Sequence, residues 1–236
     1  MNVGIPILAD LIPAGISYRT TFIIEYDPDS SYYQILESTV HDLLSAGQVV
    51  SFFNYTRFAD QVRQDLRALG SDIDALEAQG KFHLYDGYSA TLGIKSKEKL
   101  AFESLKVADV SLFFLKLTKD ENPIKNDVGF SDNGSIGLRY NDEKAFLDFY
   151  ATRVIPRAKL HDRISFTAFV TGVHSTSFYK SMEDIVDGVI DVKFDDSEGT
   201  PRTKLRVRAF KLGQFNGSWR RVKFDGLHAT LTDEKP

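Results

Sequence analysis

Residues 25–33, EYDPDSSYY, stand where many α/β proteins build a phosphate site. The segment follows an apolar strand pattern, TTFII at 20–24, and precedes a long amphipathic helix pattern. Such a turn cradles phosphates when it carries glycines, whose backbone N–H groups approach the anion, and a lysine that neutralises it. Here the turn has two aspartates and two adjacent tyrosines, with neither glycine nor lysine. The position of this turn is typical of a phosphate site, but its residue types argue against phosphate binding.

A second group of chemically capable residues is a basic segment near the C-terminus. It contains no acid and the following eight cations: Arg202, Lys204, Arg206, Arg208, Lys211, Arg220, Arg221 and Lys223. The first four alternate, which predicts that they share one face of a strand. A basic face beside aromatic residues can bind nucleic acid or an acidic protein surface. Alternatively, it can be the solvated outer face of a hairpin. The sequence favours a solvated face or a protein-binding face over a nucleic-acid-binding face.

The histidines give no signal for a metal site. None of the five has the His-x-x-x-His or Glu-x-x-x-His spacing of a metal-binding helix, so no metal is expected. His174 follows a strand pattern at 164–173, where a polar residue meeting solvent is the simplest interpretation. A hydrolase built from Ser175, His174 and Asp184 would lack the Gly-x-Ser-x-Gly turn that exposes such a nucleophile.

Composition narrows the class of protein. The chain has 236 residues, of which 42% are hydrophobic and 26% charged, with a formal net charge of −4. It has no cysteine, which excludes disulfides, thiolate metal sites and cysteine nucleophiles. No apolar run reaches the roughly 18 residues of a membrane span, and the N-terminus lacks the basic start of a signal peptide. These features predict a cytoplasmic protein that does not contact membranes.

The elements that must position these residues alternate along the chain. Hydrophobic periodicity predicts strands at 20–26, 48–55, 81–88 and 164–173, and helices at 30–47, 58–70, 98–120, 142–160 and 177–186. Residues 127–141 are expected to form a short strand and a loop, and the helix at 142–160 to be interrupted near Pro156. From residue 188 onward the pattern predicts consecutive antiparallel strands, with turns at SEGTP (197–201) and FNGS (215–218). The expected fold is α/β, a mostly parallel sheet flanked by helices with C-terminal antiparallel β-hairpins, in a single domain spanning 1–236.

Three segments together resemble the KaiC-like branch of the RecA-type ATPases. They are GIPILADLIPAGISYRTTFIIEYDPDSSYY (4–33), DNGSIGLRYNDEKAFLDF (132–149), and DGVIDVKFDD with TKLRVRAFKLGQFNGSW (187–219). They resemble, in the family's own order, the opening that leads into the phosphate loop, the end of the metal-site strand, and the closing β-hairpins. The resemblance implies a RecA-like fold.

The same resemblance implies that the phosphate loop has degenerated. It places the loop's glycines at Tyr26, Asp29 and Ser31, its lysine at Tyr32 and its magnesium-binding hydroxyl at Tyr33. None of these residues can perform the corresponding role. A carboxylate about 4 Å from a phosphate charge would also repel it by about 4 kcal/mol at an effective dielectric near 20.

Other parts of the family's machinery are also altered. The resemblance places the glutamate pair that orients the attacking water at Thr56 and Arg57, and neither is a base at neutral pH. Asp132 matches the aspartate that contacts magnesium through water. The lysine and arginine that reach a neighbouring subunit's nucleotide correspond to Ala209 and Lys211, and an ammonium cannot reproduce the guanidinium fork.

The resemblance and these departures predict a catalytically inactive, KaiC-like protein that is not an enzyme. We expect a regulatory or protein-interaction module of an archaeal cytoplasm, in signalling for example. Its partner would be a protein, either another copy of the chain or an active paralogue, and ATP with magnesium is not an expected cofactor. Two alternatives remain open. One is an unconventional nucleotide or anion binder in which Arg57 or Arg139 replaces the lost lysine, and the other is a nucleic-acid-associated protein that uses the basic hairpins.

Overall fold

The computed structural model describes residues 2–118, 124–197 and 199–233. Its strands are β1 (Asn2–Val3), β2 (Ile16–Ser17), β3 (Thr20–Tyr26), β4 (Val49–Asn54), β5 (Phe82–Asp86), β6 (Asp127–Ser131), β7 (Ile164–Val170), β8 (Gly188–Asp195), β9 (Arg202–Phe210), β10 (Arg220–Asp225) and β11 (His228–Asp233). Its α-helices are α1 (Tyr32–Ser45), α2 (Ala59–Ala68), α3 (Ile73–Ala78), α4 (Tyr88–Thr91), α5 (Val107–Thr118), α6 (Gly134–Gly137), α7 (Glu143–Phe149), α8 (Ile155–Leu160) and α9 (Thr176–Ile185). A 3-10 turn covers Pro6–Leu8, and a π-helical stretch covers Tyr150–Val154.

Nine of these strands form one sheet, in the order β11-β10-β9-β8-β3-β7-β6-β4-β5. The strands from β8 to β5 are parallel, and β9, β10 and β11 continue the sheet in antiparallel fashion. The predicted fold class is therefore confirmed. One detail differs, because β8 was expected inside the antiparallel tail but pairs in parallel with β3, Phe22 lying opposite Gly188. The tail thus extends the main sheet.

Helices cover both faces of the sheet. Phe22 and Ile24 of β3 belong to the core cluster that includes the apolar side of α1. Ile23, which points the other way because strand side chains alternate, packs in a second cluster with residues of α7 and α9. Among the described residues, none of the helices has the length and hydropathy that crossing a membrane requires.

Two predicted helices differ from the structure. In the segment 98–120 only α5 is helical, since the backbone of Leu100 and Phe102 pairs with Asp86 at the end of β5. Residues 119 and 120 of that prediction lie outside the described residues, as does residue 198 of the SEGTP turn. The segment 142–160 stays helical but widens into the π-helical stretch just before Pro156, where the missing proline N–H breaks the regular ladder. Helix α3 was not predicted.

Candidate functional site at the carboxyl edge of the sheet

The turn after β3 is tied to neighbouring strands through Asp27. Its backbone N–H donates to the Val192 carbonyl oxygen at 2.9 Å. Its carboxylate accepts from the Thr171 hydroxyl at 2.5 Å and from the Phe194 N–H at 3.1 Å. Asp27 thereby joins the ends of β3, β7 and β8, and its charge is engaged by donors of the protein itself.

The serines of the turn use their donors internally. The Ser31 N–H, at the end of the expected phosphate loop, donates to Thr203 Oγ1 of β9 at 2.9 Å. The Ser30 N–H and hydroxyl both donate to the Asp27 carbonyl oxygen, at 3.0 and 2.6 Å. A phosphate loop aims such N–H groups at its ligand, whereas here they hold the turn closed.

Three tyrosines pack together at this turn. The rings of Tyr26 and Tyr32 stack with centroids 4.1 Å apart, and Tyr33 meets both edge-on. The Tyr26 and Tyr33 hydroxyls lie 3.1 Å apart, within hydrogen-bonding distance. Tyr26 and Tyr32 are each only 2% exposed. Burial raises the pKa of both residues, so they are neutral at any physiological pH. We call Tyr26, Tyr32 and Tyr33 the tyrosine cluster.

Asp132 follows β6 and is buried beside this cluster. Its carboxylate accepts from the Tyr55 N–H at 2.9 Å and from the Thr56 hydroxyl at 2.6 Å. Its neighbour Asn133 approaches the Tyr33 hydroxyl with its side-chain amide at 3.4 Å. Burial raises the pKa of Asp132 to about 6, although the hydrogen bond from Thr56 opposes that shift. The aspartate is therefore part of an internal hydrogen-bonding network. Its partner Thr56 is one of the two positions at which the resemblance places the family's glutamate pair.

Arg57, a candidate replacement for the missing lysine, is directed to carboxylates. It forms ion pairs with Glu37 of α1 and, at 3.6 Å, with Asp65 of α2. Burial raises the pKa of Glu37, and the Arg57 charge opposes that rise. The guanidinium carbon lies 6.0 Å from the centre of the Tyr33 ring. Arg139, the other candidate, is exposed just beyond α6.

The raised pKa of Asp132 predicts a pH-dependent stability. An aspartate in an unfolded chain has a pKa near 3.9, so the folded chain holds this proton more tightly. Protonation therefore stabilises the fold below about pH 4, and the contribution is lost as the pH rises to about 6. Two pKa units correspond to roughly 3 kcal/mol. Urea unfolding from pH 4 to pH 7 should show this loss in the native chain relative to Asp132→Asn.

A matched control for this effect is Asp148→Asn, a change at an exposed position of α7. We expect it to leave the shape of the pH profile unchanged. Parallel profiles for the native chain and Asp132→Asn would contradict the prediction, because they would mean that the Asp132 carboxyl is not desolvated.

The basic segment folds with the alternation that was predicted. On β9 the intervening residues, Thr203 among them, are buried while the cations are partly exposed. The cations are nevertheless paired: Lys204 lies 2.5 Å from Asp195, and Arg206 lies 2.7 Å from Asp191. The face is therefore not the uniformly basic surface expected from the segment alone.

Arg208 forms three ion pairs on this face. Its three nitrogens contact Asp191 at 3.0 Å, Glu183 at 2.9 Å and Glu25 at 2.6 Å. These acids lie on β8, α9 and β3. The segment 202–223 contains no acid, so nothing in the local sequence could have revealed them.

The remaining cations of the segment have different surroundings. The Arg206 guanidinium carbon lies 4.4 Å from the centre of the Trp219 ring. Lys211 donates to two main-chain carbonyl oxygens in the last turn of α9, at 2.5 and 3.1 Å. Arg202 begins β9, Arg220 and Arg221 begin β10, and Lys223 is exposed further along that strand. The face is thus a mixed-charge surface with a cation–aromatic contact.

His174 belongs to an interaction that sequence reasoning missed. Ser135 Oγ accepts from the Val170 N–H at 3.0 Å and lies 2.8 Å from His174 Nε2, to which it can donate. The imidazole packs against Phe178, with ring centres 5.2 Å apart, and burial lowers the pKa of His174. His174 is half-buried and also links α6 to the loop after β7.

Comparison with known proteins finds solved structures of similar architecture. No family model matches the chain. The KaiC-like protein PH0186 of Pyrococcus horikoshii superposes with a TM-score of 0.74 at 15% identity, covering 99% of each chain. The uncharacterized protein PH0321 of the same organism, solved in complex with an unknown peptide, gives a TM-score of 0.69 at 17% identity, covering 94% of this chain and 95% of the other. The UPF0273 protein PH0284, also from P. horikoshii, is 22% identical over 240 residues, covering 95% of this chain and 90% of its own.

The superposition on PH0186 extends over nearly the whole chain and therefore includes the C-terminal strands. The chain therefore has the KaiC-like RecA fold that the three sequence segments predicted.

Proposed function

We propose that this chain is a KaiC-like protein whose nucleotide site has been rebuilt as packed protein interior, and that it acts as a regulatory or protein-interaction module without ATPase activity. The tyrosine cluster is the observation that carries the proposal. Its rings occupy the start of α1 and the end of β3, where the resemblance places the lysine, the hydroxyl and the first glycine.

The residues around the cluster do not fit a magnesium–nucleotide complex held by a phosphate loop. No lysine stands in the turn, the Ser31 N–H is engaged by Thr203, and both Asp132 oxygens already accept hydrogen bonds. Arg57, a candidate replacement for the lost lysine, is paired with Glu37. A triphosphate entering here would meet buried apolar rings and would lose its hydration without receiving compensating donors.

A protein partner is supported by two observations. The mixed-charge face formed by β8 and β9 offers paired charges and an Arg206–Trp219 contact, features that serve specific recognition more than bulk attraction. The structural neighbour PH0321 was solved in complex with a peptide. The chain's role would then lie in an archaeal signalling or regulatory complex, with another copy of itself or an active paralogue as the partner.

The second candidate is an unconventional nucleotide or anion binder. It is favoured by the retained Asp132 and by the exposed Arg139, which follows α6 at the same edge of the sheet. An ammonium or guanidinium from outside the turn could neutralise a phosphate there, although the tyrosine cluster would have to move. Nucleic-acid binding through the basic C-terminal hairpins is a third candidate, and it predicts a steep loss of affinity with salt.

Calorimetric titration of the purified chain with ATP and ADP, each with Mg²⁺, tests the proposal. We expect no binding heat and no shift of the thermal midpoint. A nucleotide at one hundred times its dissociation constant would stabilise the fold by about 2.7 kcal/mol, which a melt resolves easily. A cooperative melt in the same sample is the control for a folded protein.

Micromolar nucleotide binding would contradict the proposal and favour the second candidate. In that case Arg139→Ala should weaken the binding, whereas Lys223→Ala on the distant β10 should not. ATP hydrolysis above the buffer rate would overturn the proposal outright.

A further inference from the structure

Two histidines and an aspartate meet on the surface where α1 contacts the last strand. His41 and Asp42 lie on α1 and His228 begins β11. One potential ligand atom from each residue lies within 4.8 Å of the others. The two imidazole rings have centres 5.1 Å apart, and His228 Nδ1 lies 3.9 Å from Asp42 Oδ1. We call these three residues the His–Asp–His cluster.

The elements that carry the cluster are already fixed against each other. The Ala229 N–H donates to the buried Ser38 hydroxyl at 2.9 Å, which attaches the start of β11 to α1. Ser38, His41 and Asp42 are three and four residues apart and therefore share one face of the helix. The cluster is thus built on a helix and a strand held together by an independent hydrogen bond, which limits the rearrangement that a ligand would require.

His41 is oriented by a buried neighbour. Its Nδ1 lies 2.8 Å from the hydroxyl of Ser71, which is buried beyond the end of α2. This hydrogen bond orients the ring, and when Nδ1 carries the proton and donates to Ser71 it leaves Nε2 as the ligand, the arrangement usual around metal-bound histidine. The other nitrogen, Nε2, has only a long 3.5 Å contact with Ser45.

We propose that the His–Asp–His cluster binds a divalent transition-metal ion of the zinc type. Two imidazoles and one carboxylate are ligands that Zn²⁺, Co²⁺ and Ni²⁺ accept, with water completing the coordination. Bond lengths near 2.0–2.1 Å require ligand atoms to be about 3.4 Å apart, so the cluster must contract slightly. The His228 side chain is 47% exposed and can make that adjustment.

A bound ion would connect α1 to the terminal hairpin of β10 and β11. That hairpin is the outer edge of the sheet and carries Arg221 and Lys223. The ion would therefore fix the position of a surface that the chain can offer to a partner. This inference does not depend on the state of the nucleotide site.

The test uses the full-length, untagged chain after treatment with a chelator. Calorimetry with Zn²⁺ and absorption spectroscopy with Co²⁺ measure affinity and coordination, and the absence of cysteine removes thiolates as competing ligands. We expect one ion per chain with a micromolar dissociation constant. His228→Ala and Asp42→Asn should each weaken binding at least tenfold, and Ser71→Ala should weaken it several-fold.

Thr230→Ala, an exposed change on the same strand, is the matched control and should bind the metal like the native chain. Zn²⁺ should raise the thermal midpoint of the native chain and of this control, but not that of His228→Ala. Because His228 is exposed, its replacement should leave the fold intact. The proposal is overturned if the folded chain shows no saturable binding, or if His228→Ala binds as tightly as the native chain.

Discussion

Replacement of Tyr32 by alanine is expected to lower the free energy of unfolding by about 3–5 kcal/mol. Tyr32 is 2% exposed, stacks on Tyr26 and packs in the core cluster formed by α1 and the sheet. Removing the ring deletes a large apolar contact and leaves a cavity that the rigid sheet cannot close. Urea unfolding followed by circular dichroism measures the effect.

Tyr32→Phe is the matched control, since it keeps the ring and removes only the hydroxyl. We expect it to cost under about 1 kcal/mol. The contrast between the two variants separates the contribution of the ring from that of the hydroxyl. A loss below about 1 kcal/mol for Tyr32→Ala would contradict the prediction.

The Tyr32 result also bears on function. If the ring is core, a nucleotide can enter only by displacing several kcal/mol of packing, which supports the proposed loss of the site. If the ring can be removed at little cost, the tyrosine cluster behaves as a movable cover. That outcome would favour the unconventional nucleotide binder.

Replacement of Arg163 by alanine is expected to lower the free energy of unfolding by about 3–5 kcal/mol. Arg163 is 5% exposed, and its Nε donates to Asp127 Oδ1 at 2.9 Å, while a second nitrogen lies 2.8 Å from Oδ2. Asp127 is fully buried at the start of β6. Without its partner, that carboxylate would be left as an uncompensated charge inside the protein. Chemical denaturation of the two forms compares their stabilities.

Arg19→Ala provides the control for the ion pair. Arg19 contacts Asp162 at 2.5 Å, but its side chain is 64% exposed, so its loss should cost no more than about 1 kcal/mol. The double variant Arg163→Met with Asp127→Leu should be less destabilised than Arg163→Ala, because it leaves no buried charge. Similar losses for Arg163→Ala and Arg19→Ala would refute the prediction.

Elements with strong periodicity were predicted closely. The strand at 20–26 matches β3, and the helix predicted at 30–47 is observed as α1 at 32–45. The spacing of their apolar residues can be read locally, because a helix buried on one side and a strand buried on both faces each require a characteristic spacing. The helix predicted at 98–120 was wrong at its start, because the backbone of residues 100–102 pairs with the end of β5 and this pairing overrode the local helical preference.

The sequence by itself determined which phosphate-binding groups are missing from the turn after β3. The turn offers a phosphate neither the glycines of a phosphate loop nor its lysine, and residue type alone shows this. It also determined the alternation of the cations on β9. Both conclusions depend only on residue type and on the two-residue period of a strand.

Only the tertiary structure decided what these residues contact. The tyrosine cluster, the acids opposite Arg208 and the approach of His228 to His41 all join segments that are distant in the chain or on different elements. These contacts depend on the order and register of the strands. Strand order and register are set by the free energy of the whole sheet, so the local sequence does not reveal them. Beside neutral strands the same basic segment would be an anion-binding face. It is a paired, mixed-charge face because β8 lies next to β9 and β3 lies next to β8, and both strands carry acids that reach the cations.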